Sequence, residues 1–449
     1  MPDTETRASQ LAQVREAMEG GALRPVRRMM HSLAPGEIAR LLESLPPNER
    51  LYAWELVDPE DEGEVLIDLS DEVRLGIINR METDELIAAA DGMQVDDLAD
   101  LMADLPEAVT RRVLQAMEEL DRSRLESVLA YHEDSAGGLM NTDTITVRPD
   151  VTVDVVLRYL RMLSELPEGT DVLFVVNRYG KYLGTVSLTA LLTQQDDSTV
   201  GEIMDTSRNG IDADTSATEV AKAFETQDLV SAAVVNDDGT LLGRITVDDV
   251  VDVIRDEAEH SIMSMAGLDE EDDMFAPVIA SARKRAIWLG VNLATAFIAA
   301  RVVGLFEATI EQVVALAVLM PVVASMGGIA GSQTLTLMIR GIALGQIERS
   351  NARWLLFKEL SVGALNGIIW AAVVAAVVVL WFDSWQIGAV IAAALVINLA
   401  VAAVTGVGLP LAMKRLGIDP ALAGSVVLTT VTDVIGFTAF LGLGALFLT

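Results

Sequence analysis

The pattern of apolar and polar positions divides the chain into three regimes. Up to about residue 132, apolar residues recur at helical spacing in short stretches: GEIARLLESL, DELIAAADGM, VDDLADLMADL and TRRVLQAMEEL. Pro46-Pro47, Pro59 and Pro106 separate them. The segment Ala39–Pro46 (ARLLESLP) is echoed sixty residues later by Ala99–Pro106 (ADLMADLP). This predicts an all-α domain of stacked helical hairpins forming a small superhelix. Beyond Pro277 the pattern becomes five long apolar runs, near 284–306, 312–339, 355–382, 385–413 and 420–448, each long enough to cross a bilayer as a helix.

Between these regimes lies an internal repeat. Gly138-Leu139-Met140 recurs as Glu202-Ile203-Met204. Val172–Asn177, Tyr179-Gly180 and Leu183–Ser187 recur as Ala232–Asn236, Asp238-Gly239 and Leu242–Thr246. Each copy reads as strand, helix, strand, tight turn, strand, helix, and the pair resembles tandem cystathionine-β-synthase-type (CBS) modules. The nucleotide signature that this resemblance implies, Gly-x-x-Thr-x-x-Asp, stands in the second copy as Gly243, Thr246 and Asp249. The first copy has Gly184, Ser187 and Ala190 instead, so it lacks the acid. The resemblance thus leaves room for ATP at one site per chain, the alternative being a CBS pair that binds no nucleotide and serves as a mechanical linker. The second copy runs on into VDDVVDVIRDEAEHSIMSMAGLDEEDDM, a helix with Val250, Val251, Val253 and Ile254 on one face. Asp248, Asp249, Asp252, Asp256, Glu257 and Glu259 crowd the other, until Gly267 stops it. Such a helix is either a solvated connector or a lever between a sensor and a membrane domain.

Charge sharpens the division. The 449 residues carry 32 Lys and Arg against 66 Asp and Glu. Residues 277–449 hold 10 basic and 7 acidic side chains, and residues 1–276 hold 22 and 59, a net −37. An acidic body of this kind repels nucleic acid and attracts cations, or is simply a salt-adapted surface. On VDDLADLMADL, Asp96, Asp100 and Asp104 share one face beside Asp97, which is repulsive unless solvated or bridged by a cation. Basic ends (Arg283-Lys284-Arg285, Arg340, Arg349, Arg353, Lys414-Arg415) alternate with acidic ones (Glu307, Glu311, Asp383) along the apolar runs. The alternation predicts a plasma (inner) membrane protein with cytoplasmic N-terminal domains and an outside C-terminus. There is no Cys, which excludes disulfides and thiolate metal sites. The opening MPDTETRASQ has no signal-peptide core. His31, His132 and His260 sit in unrelated polar contexts, and no nucleophile–base set stands out, so no enzyme is expected.

The last run carries one charge after Asp419, the carboxylate of Asp433. An acid at mid-membrane costs at least ~2.5 kcal/mol, so it needs a cation partner or a wet cavity. Ser425, Thr429 and Asp433 stack at i, i+4, i+8. This oxygen stripe suits a hard cation such as Mg²⁺; the alternative is a structural Asp paired with an Arg or Lys. Gly424 and Gly436 flank it, and the second run holds Pro321, Gly327, Gly328, Gly331, Ser332, Gln333 and Thr334. Asn398 and Asn366 read as interhelical hydrogen-bonding groups.

VDDLADLM, SAGGLM (Ser135–Met140), ITVDDVVDV (Ile245–Val253), GGIAGSQ (Gly327–Gln333), IRGIAL (Ile339–Leu344) and IDPALAG…TTVTDVIG (Ile418–Gly436) together resemble the MgtE family of magnesium channels. The resemblance implies a homodimer whose second and fifth spans line one Mg²⁺ pore, with Asp433 as its carboxylate. It also implies gating by cytoplasmic Mg²⁺ bridging the acidic domains, with Asp96, Asp100, Asp248, Asp252, Asp256, Glu257, Glu259 and Asp419 as regulatory ligands. The chain departs from the family pattern at Ile329 and Ser332, where Asn is usual, and at His260, where an acid is common. The implied divisions are 1–132 (acidic helical domain), 133–199 and 200–247 (CBS modules), 248–276 (connecting helix and linker) and 277–449 (pore domain). A membrane-anchored sensor that passes no ion, or a carrier of another divalent cation such as Co²⁺, is the competing expectation.

Overall fold

The structure, a computed structural model, describes residues 23–90, 93–103, 105–163, 165–167, 169–268, 273–347 and 350–449. Asp104, Arg349, the opening decapeptide and most of the acidic linker at 269–273 lie outside the described residues. The chain divides into two compact units, Met1–Ala258 with Glu271–Ala276, and Glu259–Glu270 with Pro277–Thr449.

The first unit opens with short helices, among them Pro35–Glu43, Pro47–Trp54, Glu62–Ile67, Asp71–Ile78, Thr83–Ala90, Val95–Ala103, Glu107–Ala116 and Glu119–Val128. Helices two apart in sequence pack together, as Pro35–Glu43 on Glu62–Ile67 and Val95–Ala103 on Glu119–Val128. Neither a six- nor a nine-residue helix is stable alone, so stacking supplies the stability. The two halves of the sequence echo behave alike: Ala39, Leu42 and Leu45, and their counterparts Ala99, Met102 and Leu105, are all buried.

Two three-stranded sheets follow. Strand β1 (Thr146–Val147) runs parallel to β2 (Val172–Val176), which pairs antiparallel with β3 (Tyr182–Ser187). Strands β4 (Ile211–Asp212), β5 (Ser231–Val235) and β6 (Leu241–Thr246) repeat the arrangement. Even the irregularity recurs, between Val175 and Val176 and between Val234 and Val235. Asn177 and Asn236 explain it: each carboxamide oxygen accepts from two backbone N–H groups of its turn, ahead of Gly180 and Gly239 at positive φ. Each module's leading segment bridges to the other's sheet, Asn141 to Arg244 and Asp205 to Thr185. The pair is therefore interlocked.

The second unit contains the five long apolar helices: Val278–Gly304, Val314–Ala343, Ala352–Phe382, Trp385–Arg415 and Pro420–Phe447, hereafter the first to fifth spans. A short helix, Glu307–Gln312, joins the first two, which the hydropathy pattern did not predict. Small residues set the packing. Gly331 faces Leu428, Gly424 faces Leu335, Gly406 faces Thr334 and Gly444 faces Leu316. In an apolar solvent such close approach, rather than hydrophobicity, holds helices together. Asn398 hydrogen-bonds across helices as expected, donating to the Val323 carbonyl at 2.9 Å. Asn366 differs from expectation: it is exposed and its side chain makes no hydrogen bond among the described residues. It falls on the outward face, away from the neighbouring spans.

Candidate functional site

The second and fifth spans frame an open cleft of about 570 Å³. From the second come Ala324, Ser325, Gly328, Ile329, Ser332, Gln333 and Thr336, spaced so that one helical face lines it; from the fifth come Thr429 and Asp433. The hydroxyls and the Gln333 amide surround a single carboxylate, and no described Lys, Arg or His pairs with it. Thr429 donates its hydroxyl to the Ser425 carbonyl, leaving its oxygen lone pairs for the cleft. Ser425 sits one turn away, in a smaller pocket of about 260 Å³ shared with Met265, Ala266, Gly267, Trp288, Asn292 and Thr429. Its hydroxyl donates to the Met265 carbonyl at 3.4 Å. The stripe read from the sequence thus divides: Asp433 lies on the cleft, Ser425 in the pocket at the end of the connecting helix, and Thr429 lines both. Ser325, Gln333 and Thr336 complete the cleft; their i, i+8, i+11 spacing was the available signal.

In the first unit the acids of Val95–Ala103 meet those of the connecting helix, Val247–Met265. Asp96 is 7% exposed and accepts from the Asn141 side-chain amide at 3.2 Å. Burial, then the charge of Asp249, pushes its carboxyl up to about 8. Asp97, which sequence reasoning left out of the ligand set, is pushed up to about 7 by burial and then by Asp249, Asp100, Asp248 and Asp252. Asp249 rises to about 6, chiefly through burial. Asp252 is raised by burial against the opposing pull of Arg255. Arg255 itself bridges Asp252 at 2.9 Å and Asp256 at 3.1 Å. Glu257 and Glu259 are exposed. No group of three His, Asp or Glu among the described residues stands in metal-ligating geometry. Asp419 caps the fifth span by accepting from Ala421 N–H, and lies 3.1 Å from His260 Nε2.

Gly243, Thr246 and Asp249 come together at the end of β6. One Asp249 carboxylate oxygen accepts from both the backbone N–H and the hydroxyl of Thr246, each at 2.9 Å, at the start of the helix that follows β6. A β-carbon at Gly243 would lie 2.6 Å from the Asn141 carbonyl oxygen. A nucleotide entering here would have to displace the two Thr246 hydrogen bonds and approach the neighbouring Asp96 and Asp97 carboxyls.

An acidic helical domain, an interlocked pair of sheet modules and a five-span helical unit with one acid on its cleft define a multidomain membrane protein of the ion-transport class. Three family models match in chain order: the MgtE intracellular N domain over residues 33–134, the CBS domain over 136–196 and 200–256, and MgtE, described as a divalent cation transporter, over 320–443. The magnesium transporter MgtE of Thermus thermophilus is 32% identical over 359 residues, covering 79% of this chain and 80% of that protein. The Bacillus subtilis protein of the same name is 27% identical and covers 87% and 86%. The crystal structure of the cytosolic domain of the Mg²⁺ channel MgtE in complex with ATP matches 54% of the chain at 30% identity, with a TM-score of 0.50. The chain belongs to the MgtE family, whose members are transporters or channels and not enzymes.

Proposed function

We propose that this protein is a Mg²⁺ channel of the plasma membrane, working as a homodimer and closed by cytoplasmic Mg²⁺. The observation that carries the reading is Asp433, an acid in the middle of an apolar helix, facing an oxygen-lined cleft without a described cationic partner. Mg²⁺ gives up its waters reluctantly, so a wide cleft with hydroxyls and one acid suits a hydrated ion better than a closed cage does. The names of the relatives support the choice of ion. The domain divisions read from the sequence, the cytoplasmic placement of residues 1–276 and an outside C-terminus belong to the same proposal.

Asp96, Asp97, Asp100, Asp248 and Asp252 supply the gate. Without divalent ions their charges oppose one another; a Mg²⁺ shared between domains relieves the repulsion and favours the compact, closed state. An ion shifts such an equilibrium only by its differential affinity for the two states. Purified protein in liposomes, offered Mg²⁺, Co²⁺ and Ca²⁺ in turn, tests the reading. Flux of Mg²⁺ that falls to background in Asp433→Asn and only partly in Thr429→Val supports it. Wild-type flux through Asp433→Asn removes the carboxylate from the mechanism, and no flux of any divalent ion leaves a membrane-anchored sensor.

A further inference from the structure

The cleft-lining face of the second span has an opposite face, and that face is held by two buried polar side chains from the third and fourth spans. Asn398, on the fourth span, is fully buried. Its amide donates to the Val323 carbonyl, and it lies so close to Gly327 that a β-carbon there would overlap the carboxamide. The same carboxamide abuts the fifth span at Gly436, where a β-carbon would stand 2.7 Å from Nδ2. One side chain thus touches both helices that line the cleft, three residues along from Asp433 on the fifth. Eleven residues along the second span from Val323, Thr334 donates its hydroxyl to Glu359 of the third span at 3.3 Å. Glu359 is 6% exposed, and its other oxygen accepts from Lys358 at 2.7 Å. Val323 and Thr334 bracket nearly all the cleft-lining stretch, Ala324 to Thr336.

We propose that Asn398 and Glu359 are positioning residues: Asn398 fixes the second span against the fifth, Glu359 holds the same face of the second span to the third, and together they set the width of the cleft in front of Asp433. The proposal deepens the transport reading and rests on it for its link to ions. Packing alone gives no reason for Asn398: its Oδ1 has no hydrogen-bond partner among the described residues. A buried acceptor left unmade is costly, and an apolar residue of like size relieves that cost. A leucine would therefore be neutral or stabilising if filling space were the whole role. As a clamp, the amide contributes direction: its bond to Val323 fixes the rotation of the second span, which a leucine does not. Cleft width matters because selection among divalent ions depends on the spacing of the oxygens they meet.

The test uses the full-length protein with Asn398→Leu, Glu359→Leu and the conservative Glu359→Gln, which keeps an acceptor for Thr334. The chain has no Cys, so spin labels on Leu337→Cys and Val427→Cys, both exposed on the second and fifth spans, report the helix separation directly. The expected result is a melting temperature in Asn398→Leu at or above wild type, with a shifted or broadened distance distribution. In flux, the half-saturating Mg²⁺ concentration or the Mg²⁺/Ca²⁺ ratio should change by roughly tenfold, while Glu359→Gln stays near wild type and Glu359→Leu follows Asn398→Leu. Should Asn398→Leu fail to fold, the pair Gly327→Ala with Asn398→Ala refills the space without the amide and should give the same altered distances. Distance distributions superimposable on wild type in the folded variants overturn the proposal. Absence of Mg²⁺ flux in the wild-type protein defeats the transport reading instead, and the distances still decide the clamp.

Discussion

Single residues decide how the acidic unit responds to pH. Asp96, Asp97 and Asp249 hold their protons up to about 8, 7 and 6 because burial and one another's charges disfavour ionisation. An unfolded Asp ionises near ~3.9, so between that value and about 8 the folded protein binds more protons than the unfolded chain. Stability from these groups is therefore full only below ~3.9 and is lost progressively as pH rises from there through about 6, 7 and 8. In EDTA, amide hydrogen exchange along Val95–Ala103 should be slower at pH 5.5 than at pH 8, after correction for intrinsic rates. Asp96→Asn should shrink that difference, and added Mg²⁺ should protect more at pH 8 than at pH 5.5. Faster exchange at the lower pH would show that these carboxyls ionise freely.

At the scale of elements, the connecting helix ends in a motif with a specific contact. Leu268 N–H bonds to the Met263 carbonyl and Gly267 N–H to that of Ser264, with Gly267 at φ +70. A β-carbon at Gly267 would stand 2.9 Å from the Trp288 ring of the first span. Gly417 ends the fourth span in the same motif, also at φ +70, with nothing near its missing side chain. Gly417→Ala should thus cost about 1 kcal/mol of backbone strain alone, whereas Gly267→Ala should also change Trp288 fluorescence and raise basal flux. Equal behaviour of the two variants would deny the Trp288 contact a role. The paired modules make a second prediction. Only the second has an acid with its threonine, Asp249 with Thr246, so calorimetry should find one ATP per chain, lost in Asp249→Asn. Two equal sites would contradict this. Mg²⁺ should tighten ATP binding, because the nucleotide must enter beside Asp96 and Asp97.

For the whole molecule the governing quantity is the net −37 carried by residues 1–276, doubled in the proposed dimer. Like charges in partly dry interfaces repel strongly, whereas exposed ones are screened by salt. Part of the acidic face of the connecting helix is already balanced, because Arg255 bridges Asp252 and Asp256. What a divalent ion adds is bridging, which screening does not reproduce. Millimolar Mg²⁺ should therefore protect the connecting helix from protease, and KCl at matched ionic strength should protect poorly. Replacing Asp248, Asp252 and Asp256 together with Asn should abolish protection and, if the proposed gate is right, leave Mg²⁺ flux high at high Mg²⁺. Equal protection by KCl would reduce the acidity to a solvated surface.

Much of this was legible in the chain because it depends on local periodicity. The apolar runs match the five spans, since a bilayer demands about twenty apolar residues whatever their neighbours. The module repeat and its turn residues carried strand order, and Asp433 stood out because an acid is rare in such a run. Other features depended on which faces meet, and no single stretch encodes that. The tertiary structure took Ser425 off the Asp433 cleft and left Thr429 shared between the two pockets, brought Asp97 against the connecting helix, and placed Asn398 between Gly327 and Gly436 while leaving Asn366 outside. Two asparagines of identical chemistry in neighbouring apolar helices received opposite environments. Periodicity fixes which residues share a face; only the packing of one helix on another decides what that face touches.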